Sequence, residues 1–369
     1  MIGYQPQARV VRPLPPDVLP SWVSALSPGQ WFEIPNSAPN AVVLNHAVID
    51  SWAGAALDTR NSMLYLVANG GHSDYAGNEV YKLDLAREQP VWTMERANTH
   101  NGSESCVTFY ASGDPCSRHT YYGSIMNEFD NRVMLVGGAW FCSTGTPILP
   151  TLCSYNIIAK TYNAAGTHPD LPADQQHADA TYCPDPATGD IYAKYNFGLF
   201  SRWNRASNTW TADLADTGTS PDAEGAAMSS CDTARGRIYV QGGGGGASQA
   251  HHYYTISTNA WTVVTVTGAR ATDIAATQQA SMEYVAALDA FLVRMSPAGN
   301  DVVKVDASTF AATTFPGLSG GTAIQNNAPY TSPINSGAGP YSKFRYVPKL
   351  KGCILVQGFD LNCYFLRVH

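Results

Sequence analysis

A chain of 369 residues with 14% charged side chains, 11% aromatics and 32 glycines is too apolar and too weakly charged for disorder, and suits a turn-rich β protein. Its formal charge of −7 supplies no basic field, which excludes nucleic acid as the expected partner. No apolar run reaches the roughly eighteen residues of a membrane span. In chain order, residues 1–28 read as an N-terminal extension that lacks the apolar core of a secretory signal. A short strand follows in GQWFEIP, residues 29–35. From Trp52 onward one phrase of four short strands recurs at a spacing of about 50 residues.

The first copy runs WAGAALDTRNSMLYLVANGG, NEVYKLDL, VWTME. The second runs YYGSIMNEFDNRVMLVGG, CSYNIIAKTYNAAG. The third is DATYCPDPATGDIYAKYN, FSRWNRASNTWTADL, and the fourth GAAMSSCDTARGRIYVQGGGGG, HHYYTISTNAWTVV. The fifth, ASMEYVAALDAFLVRMSP, DVVKVDASTFAATTF, puts Phe310 where the first, third and fourth carry Trp. The sixth, SKFRYVPKLKGCILVQGF, CYFLRVH, stops after its third strand. One four-stranded sheet cannot bury both of its faces alone, whereas radial stacking covers both and protects the edges. The strand missing from the sixth copy is available in GQWFEIP. The expected fold is therefore all-β: a six-bladed β-propeller over residues 29–369, closed by the N-terminal strand completing the last blade. Seven blades is the alternative, if residues 1–29 or 316–340 hold further strands.

The paired glycines after the second strand (Gly70-Gly71, Gly137-Gly138, Gly242-Gly243), the tyrosine of the third strand and the Trp-Thr of the fourth resemble kelch motifs. The chain thus resembles the kelch and galactose-oxidase-type propellers over nearly its whole length. That resemblance implies the fold and leaves the activity open, since propellers host enzymes, lectins and scaffolds alike. The copper site of galactose oxidase needs two tyrosines, two histidines and a tyrosine–cysteine cross-link. His251–Tyr254 offers the residue types, but no cross-linked pair is identifiable. The phrases GGHSDYAGNEVY and GQWFEIPN also resemble poorly characterised kelch-type proteins of bacteria and their phages.

In such a ring the loops entering each first strand share a face with those joining second to third strands. The entry loops carry His46, His119 and His177, with Arg118, Tyr121 and Tyr122 beside His119. The other loops add His72, Asp74 and Tyr75 from copy one, Trp140 from copy two, Tyr195 and Asn196 from copy three, and His251 and His252 from copy four. Histidine and tyrosine can exchange protons near neutral pH, and arginine can neutralise a carboxylate bidentately. The expected catalytic set is His119, His177, Tyr121, Tyr195 and Arg118. The expected ligand-binding set is His46, His72, Asp74, Tyr75, Trp140 and Asn196. These suit recognition of an oligo- or polysaccharide, with β-elimination from a uronic-acid polymer as the chemistry if bonds are broken. No metal site or cofactor is assigned; a divalent ion held by the histidines is the alternative, without supporting spacing. A non-catalytic structural or receptor-binding module of a phage particle or bacterial surface is the competing function, with other virion or surface proteins as partners.

The eight cysteines fall into four expected disulfides: Cys106–Cys116, Cys142–Cys153, Cys183–Cys231 and Cys353–Cys363. They imply an extracellular, periplasmic or virion setting. Closing a loop of about 15 residues stabilises by about 3 kcal/mol in the chain-entropy model.

Overall fold

Each four-strand phrase folds as one antiparallel sheet, and six such sheets form a closed ring. The computed structural model describes residues 19–143, 150–172, 180–194, 200–214, 216–219, 221, 224–243, 251–275, 279–295, 301–315 and 339–369. Blade 1 comprises Ala56–Asp58, Met63–Val67, Val80–Asp84 and Trp92–Arg96. Blade 2 comprises Ser124–Asn127, Arg132–Val136, Leu152–Asn156 and Thr161–Tyr162. Blade 3 comprises Thr181–Pro184, Ile191–Lys194, Phe200–Asn204 and Thr209–Thr211. Blade 4 comprises Glu224–Asp232, Arg237–Gly243, His251–Thr255 and Ala260–Val264. Blade 5 comprises Ser281–Val285, Ala290–Arg294, Val302–Asp306 and Ala312–Thr314. Blade 6 comprises Phe344–Val347, Gly352–Leu355 and Tyr364–Arg367, and takes its outer strand, Trp31–Glu33, from the N-terminal side.

The first strand of each blade is innermost, and from blade 1 through blade 6 it lies beside the first strand of the next. Between blades 6 and 1 the ring closes through the Ala55 amide, which donates to Ser342 Oγ at 2.9 Å. Apolar side chains on both faces of the sheets fill the gaps between blades. Leu57, Leu64 and Leu66 of blade 1 pack with Ile354 and Phe365 of blade 6, and Val67 and Tyr65 pack with Val133, Leu135 and Tyr155 of blade 2. The inner strands are therefore buried on both sides, which is why Met63–Val67 and Arg132–Val136 are nearly continuous apolar runs.

The outer strand of blade 6 pairs antiparallel with Tyr364–Arg367, in the register Trp31↔Leu366 and Glu33↔Tyr364. Trp31 is 1% exposed and its ring lies 6.4 Å from that of Phe344. Truncation to Ala is expected to cost about 3–5 kcal/mol, because it removes both packed area and the clasp. The urea midpoint should fall with an unchanged slope; an unmoved midpoint would show that the strand does not fasten the ring.

Cysteine pairing differs from the expectation. The one disulfide among the described residues joins Cys106 to Cys142. Cys116, Cys153, Cys183, Cys231, Cys353 and Cys363 stand as thiols. The loop after blade 1 folds back on the loop between the second and third strands of blade 2, and the Cys106 amide donates to Phe141 O at 3.0 Å. Spatial neighbours therefore replace sequence neighbours, and the partners expected from spacing, Cys116 and Cys153, are left inside. Cys353 is opposite Leu366, an odd offset from Cys363, so the two sulfurs lie on opposite faces of the sheet. Cys353 packs toward blade 5 and Cys363 toward blade 1. Cys183 and Cys231 do meet, as hydrogen-bonded thiols across the joint of blades 3 and 4.

Candidate functional site

Four of the blade entrances share a backbone device. Trp52, Tyr121, Gln279 and Tyr341 have φ of 46°, 47°, 58° and 40°, a left-handed conformation that bulky L residues adopt at a cost of roughly 1–3 kcal/mol each. Hydrogen bonds link these entrances to one another. The Tyr121 amide donates to Trp52 O at 2.8 Å and the Tyr341 amide to Gln279 O at 3.1 Å. Their rings converge: Tyr341 lies 5.7 Å from Tyr121 and 5.4 Å from Tyr122. Tyr122 Oη reaches the entrance of blade 5, donating to Ala280 O at 2.7 Å. Among the described residues, aromatic side chains of the entrances thus meet across this end of the central axis.

The polar cluster lies to one side of these rings, at the joint of blades 1 and 2. The loop between the second and third strands of blade 1 has positive φ at Ala68, Gly70, Gly71 and His72. Gly71 is required there twice over. Its φ is 64°, and a Cβ would overlap the backbone of Arg118, His119 and Ala139. That close approach sets His72 beside a two-stranded ribbon formed by Arg118–His119 and Ala139–Trp140. The His72 and His119 rings are 5.7 Å apart. Asp74 returns over the ribbon, and its Oδ2 lies 2.8 Å from His119 Nε2. Trp52 stacks on the His119 ring at 4.8 Å, Tyr121 meets it edge-on at 6.0 Å, and Ser51 hydrogen-bonds Asp74.

The electrostatics of this pair are asymmetric. His119 is 3% exposed, whereas the Asp74 side chain is 34% exposed. The hydrogen bond from His119 holds the Asp74 carboxyl below the usual carboxylate range. Burial pulls the His119 imidazole below the usual histidine range, outweighing the attraction of Asp74. At neutral pH the pair is therefore a carboxylate accepting from a neutral imidazole. That fixes the proton on Nε2, and Nδ1, which has no hydrogen-bond partner among the described residues, is the basic nitrogen.

Of the residues expected from sequence, His72, Asp74, His119 and Tyr121 are brought together. Arg118 is not. It precedes His119 on a strand, where neighbours point to opposite faces, and it is fully buried. Its Nη1 donates to Gly137 O at 3.2 Å and its Nη2 to Cys153 Sγ at 3.5 Å. It cannot meet a ligand carboxylate. Tyr75 turns inward, donating to Glu79 Oε1 at 2.6 Å, and Trp140 packs under the loop against Tyr110 and Cys116. His46 shares the entry face but keeps separate company, 4.0 Å from Asp50 and 6.5 Å from the Phe359 ring. His251 is buried against Tyr239, 2.7 Å from its hydroxyl. His177, Tyr195 and Asn196 lie outside the described residues. No three of His, Cys, Asp and Glu are grouped as metal ligands among the described residues.

Trp52 and Ser51 were not anticipated. Trp52 read as the opening of a strand, yet it occupies the entrance position filled by Tyr121 and Tyr341, and that equivalence was the available signal.

No family model matches the chain, and no curated protein matches it. Among solved structures, the one titled "Structure of YjhT" is similar with a TM-score of 0.55 at 12% identity, over 87% of this chain and 94% of that one. Together with the six sheets in a ring, the likeness shows a six-bladed β-propeller, and at that identity it speaks for the fold alone.

Proposed function

We propose that the protein binds an oligo- or polysaccharide at the rim formed by Trp52, His72, Asp74 and His119. The observation that carries this reading is the stack of a partly buried indole on an imidazole whose edge is held by an exposed carboxylate. An apolar ring face beside fixed donors and acceptors matches a sugar, which offers C–H patches between hydroxyls. The sugar's charge is constrained. Asp74 is ionised and Arg118 is withdrawn into the joint of the blades, so a uronate would meet a carboxylate without a guanidinium. A neutral sugar is favoured, and β-elimination loses the cation it requires.

A second reading, proton transfer on the bound sugar, is favoured by the free Nδ1 of His119, with Asp74 in the orienting role. The Cys106–Cys142 disulfide supports an extracellular, periplasmic or virion-surface setting, and the paired glycines support a kelch-type origin. An array of neutral and acidic glycans tests the proposal. Neutral glycans should be retained by the wild type and lost in Trp52→Ala, by about tenfold or more in affinity for a stacked aromatic anchor. Retention of acidic glycans alone would restore the uronate reading. Silence across the array would leave the non-catalytic structural module.

A further inference from the structure

The opposite mouth of the central axis is built differently. There the first strands of blades 1, 2, 3 and 6, with the turns that follow them, enclose a cavity of about 230 Å³. Leu57, Ile125, Met126, Tyr182 and Ile191 give it apolar walls, and Tyr122, the bar across the axis, is its inner end. The cavity therefore lies on the far side of the entrance aromatics from His119 and is independent of the saccharide reading.

One cation faces this space. Arg345, on the first strand of blade 6, lines the cavity. Its Nε is 3.2 Å from Glu283 Oε1 but too bent to make a hydrogen bond. The other Glu283 oxygen accepts from the Tyr346 amide at 3.2 Å. Nη1 and Nη2 of Arg345 have no hydrogen-bond partner among the described residues. The two carboxylates at the mouth are already engaged. Glu128 Oε1 accepts from the amide and hydroxyl of Thr59, at 2.8 and 2.5 Å. Asp185 accepts from the Ala187 amide at 2.9 Å and from Thr188 Oγ1 at 2.8 Å. A guanidinium fork left open at the wall of an apolar chamber matches the planar, two-oxygen end of a carboxylate. The acidic mouth disfavours a second negative charge, and the volume lies below the range of about 300–1,000 Å³ typical of drug-sized ligands.

We infer that the turn-face mouth of the axial channel is a binding site for a small monocarboxylate with an apolar ring, its carboxylate on the Arg345 fork and its ring between Ile125, Tyr182 and Ile191. Benzoate and its neutral analogue benzyl alcohol are suitable probes, titrated into the full chain with ligand-observed NMR and calorimetry. Benzoate should saturate at millimolar concentration or below, and benzyl alcohol should bind at least tenfold more weakly. Arg345→Gln should remove that difference. Arg345→Lys, which keeps the charge and loses the fork, should fall between, and it serves if the glutamine variant does not fold. An entry-face glycan should not compete with benzoate. Absence of benzoate binding by the wild type, equal binding of the two probes, or unchanged affinity in both variants would each overturn the assignment.

Discussion

Asp74→Asn is expected to slow proton transfer on a bound saccharide by about 10²–10⁴-fold, with saccharide affinity held within about threefold. The carboxylate accepts from His119 Nε2 at 2.8 Å, which keeps the other ring nitrogen unprotonated. An asparagine presents an NH₂ group as readily as an oxygen, so the tautomer is no longer fixed and the base is lost in part of the population. His119→Gln should remove the base entirely. Exchange between the anomers of a retained reducing sugar, in which the base takes the anomeric hydroxyl proton and the ring oxygen receives one from water, is followed by NMR and reads the step directly. Because burial depresses the His119 pKa, wild-type exchange should persist below the usual histidine range near pH 6.5 and then fail as the imidazole takes up a proton. Equal exchange rates in wild type and both variants, on a glycan that all three retain, would remove proton transfer and leave binding alone.

Lys343 should give the protein an unusual alkaline stability profile. It has no exposed surface, and it sits where blade 6 meets blade 1, its Nζ donating to Ile49 O at 2.5 Å. Burial pulls its pKa down from 10.5 to about 8, against the attraction of Asp50. Between those two values the unfolded chain holds a proton that the folded chain has released. Stability contributed by this group is therefore lowest below pH 8 and rises toward pH 10.5, by about 3–3.5 kcal/mol in all. Lys343→Met has nothing to titrate and should lack the rise. Urea unfolding at pH 7 and pH 10 isolates it, since the buried tyrosines, whose pKa values are raised, are common to both proteins. Parallel pH dependence in wild type and variant would show that the ammonium is solvated.

Architecture was legible from the chain and side-chain direction was not. GQWFEIP and the truncated sixth copy were sufficient to place the closing strand, because a missing strand and an orphan strand leave one economical solution. His72 and Asp74 stood out because a turn between strands needs glycine and does not need those groups, and His119 because it takes a comparable place to His46 at a blade entrance. Arg118 misled because two residues adjacent in sequence were assigned to one surface. A two-residue strand lay hidden in that entry loop, and its alternation sends the arginine toward Cys153 and the histidine to the opposite face, beneath Trp52 and Asp74. Tyr121 and Tyr122 were expected to line a funnel; among the described residues the left-handed turns at the blade entrances bring them together with Tyr341. The cysteines misled for a related reason: spacing along the chain ranks loop lengths, while pairing depends on which loops dock.

The clasp between Trp31–Glu33 and Tyr364–Arg367 has a consequence for biosynthesis. The Ser37 amide waits for Asn362, which follows 325 positions later, so the Trp31–Glu33 strand is made long before the strand it pairs with. At ordinary elongation rates of about 5–20 residues per second, that delay lasts tens of seconds. Throughout it the Trp31 segment is an apolar ribbon with both edges unsatisfied, open to capture by a holding chaperone or by the incomplete sixth sheet of another nascent copy.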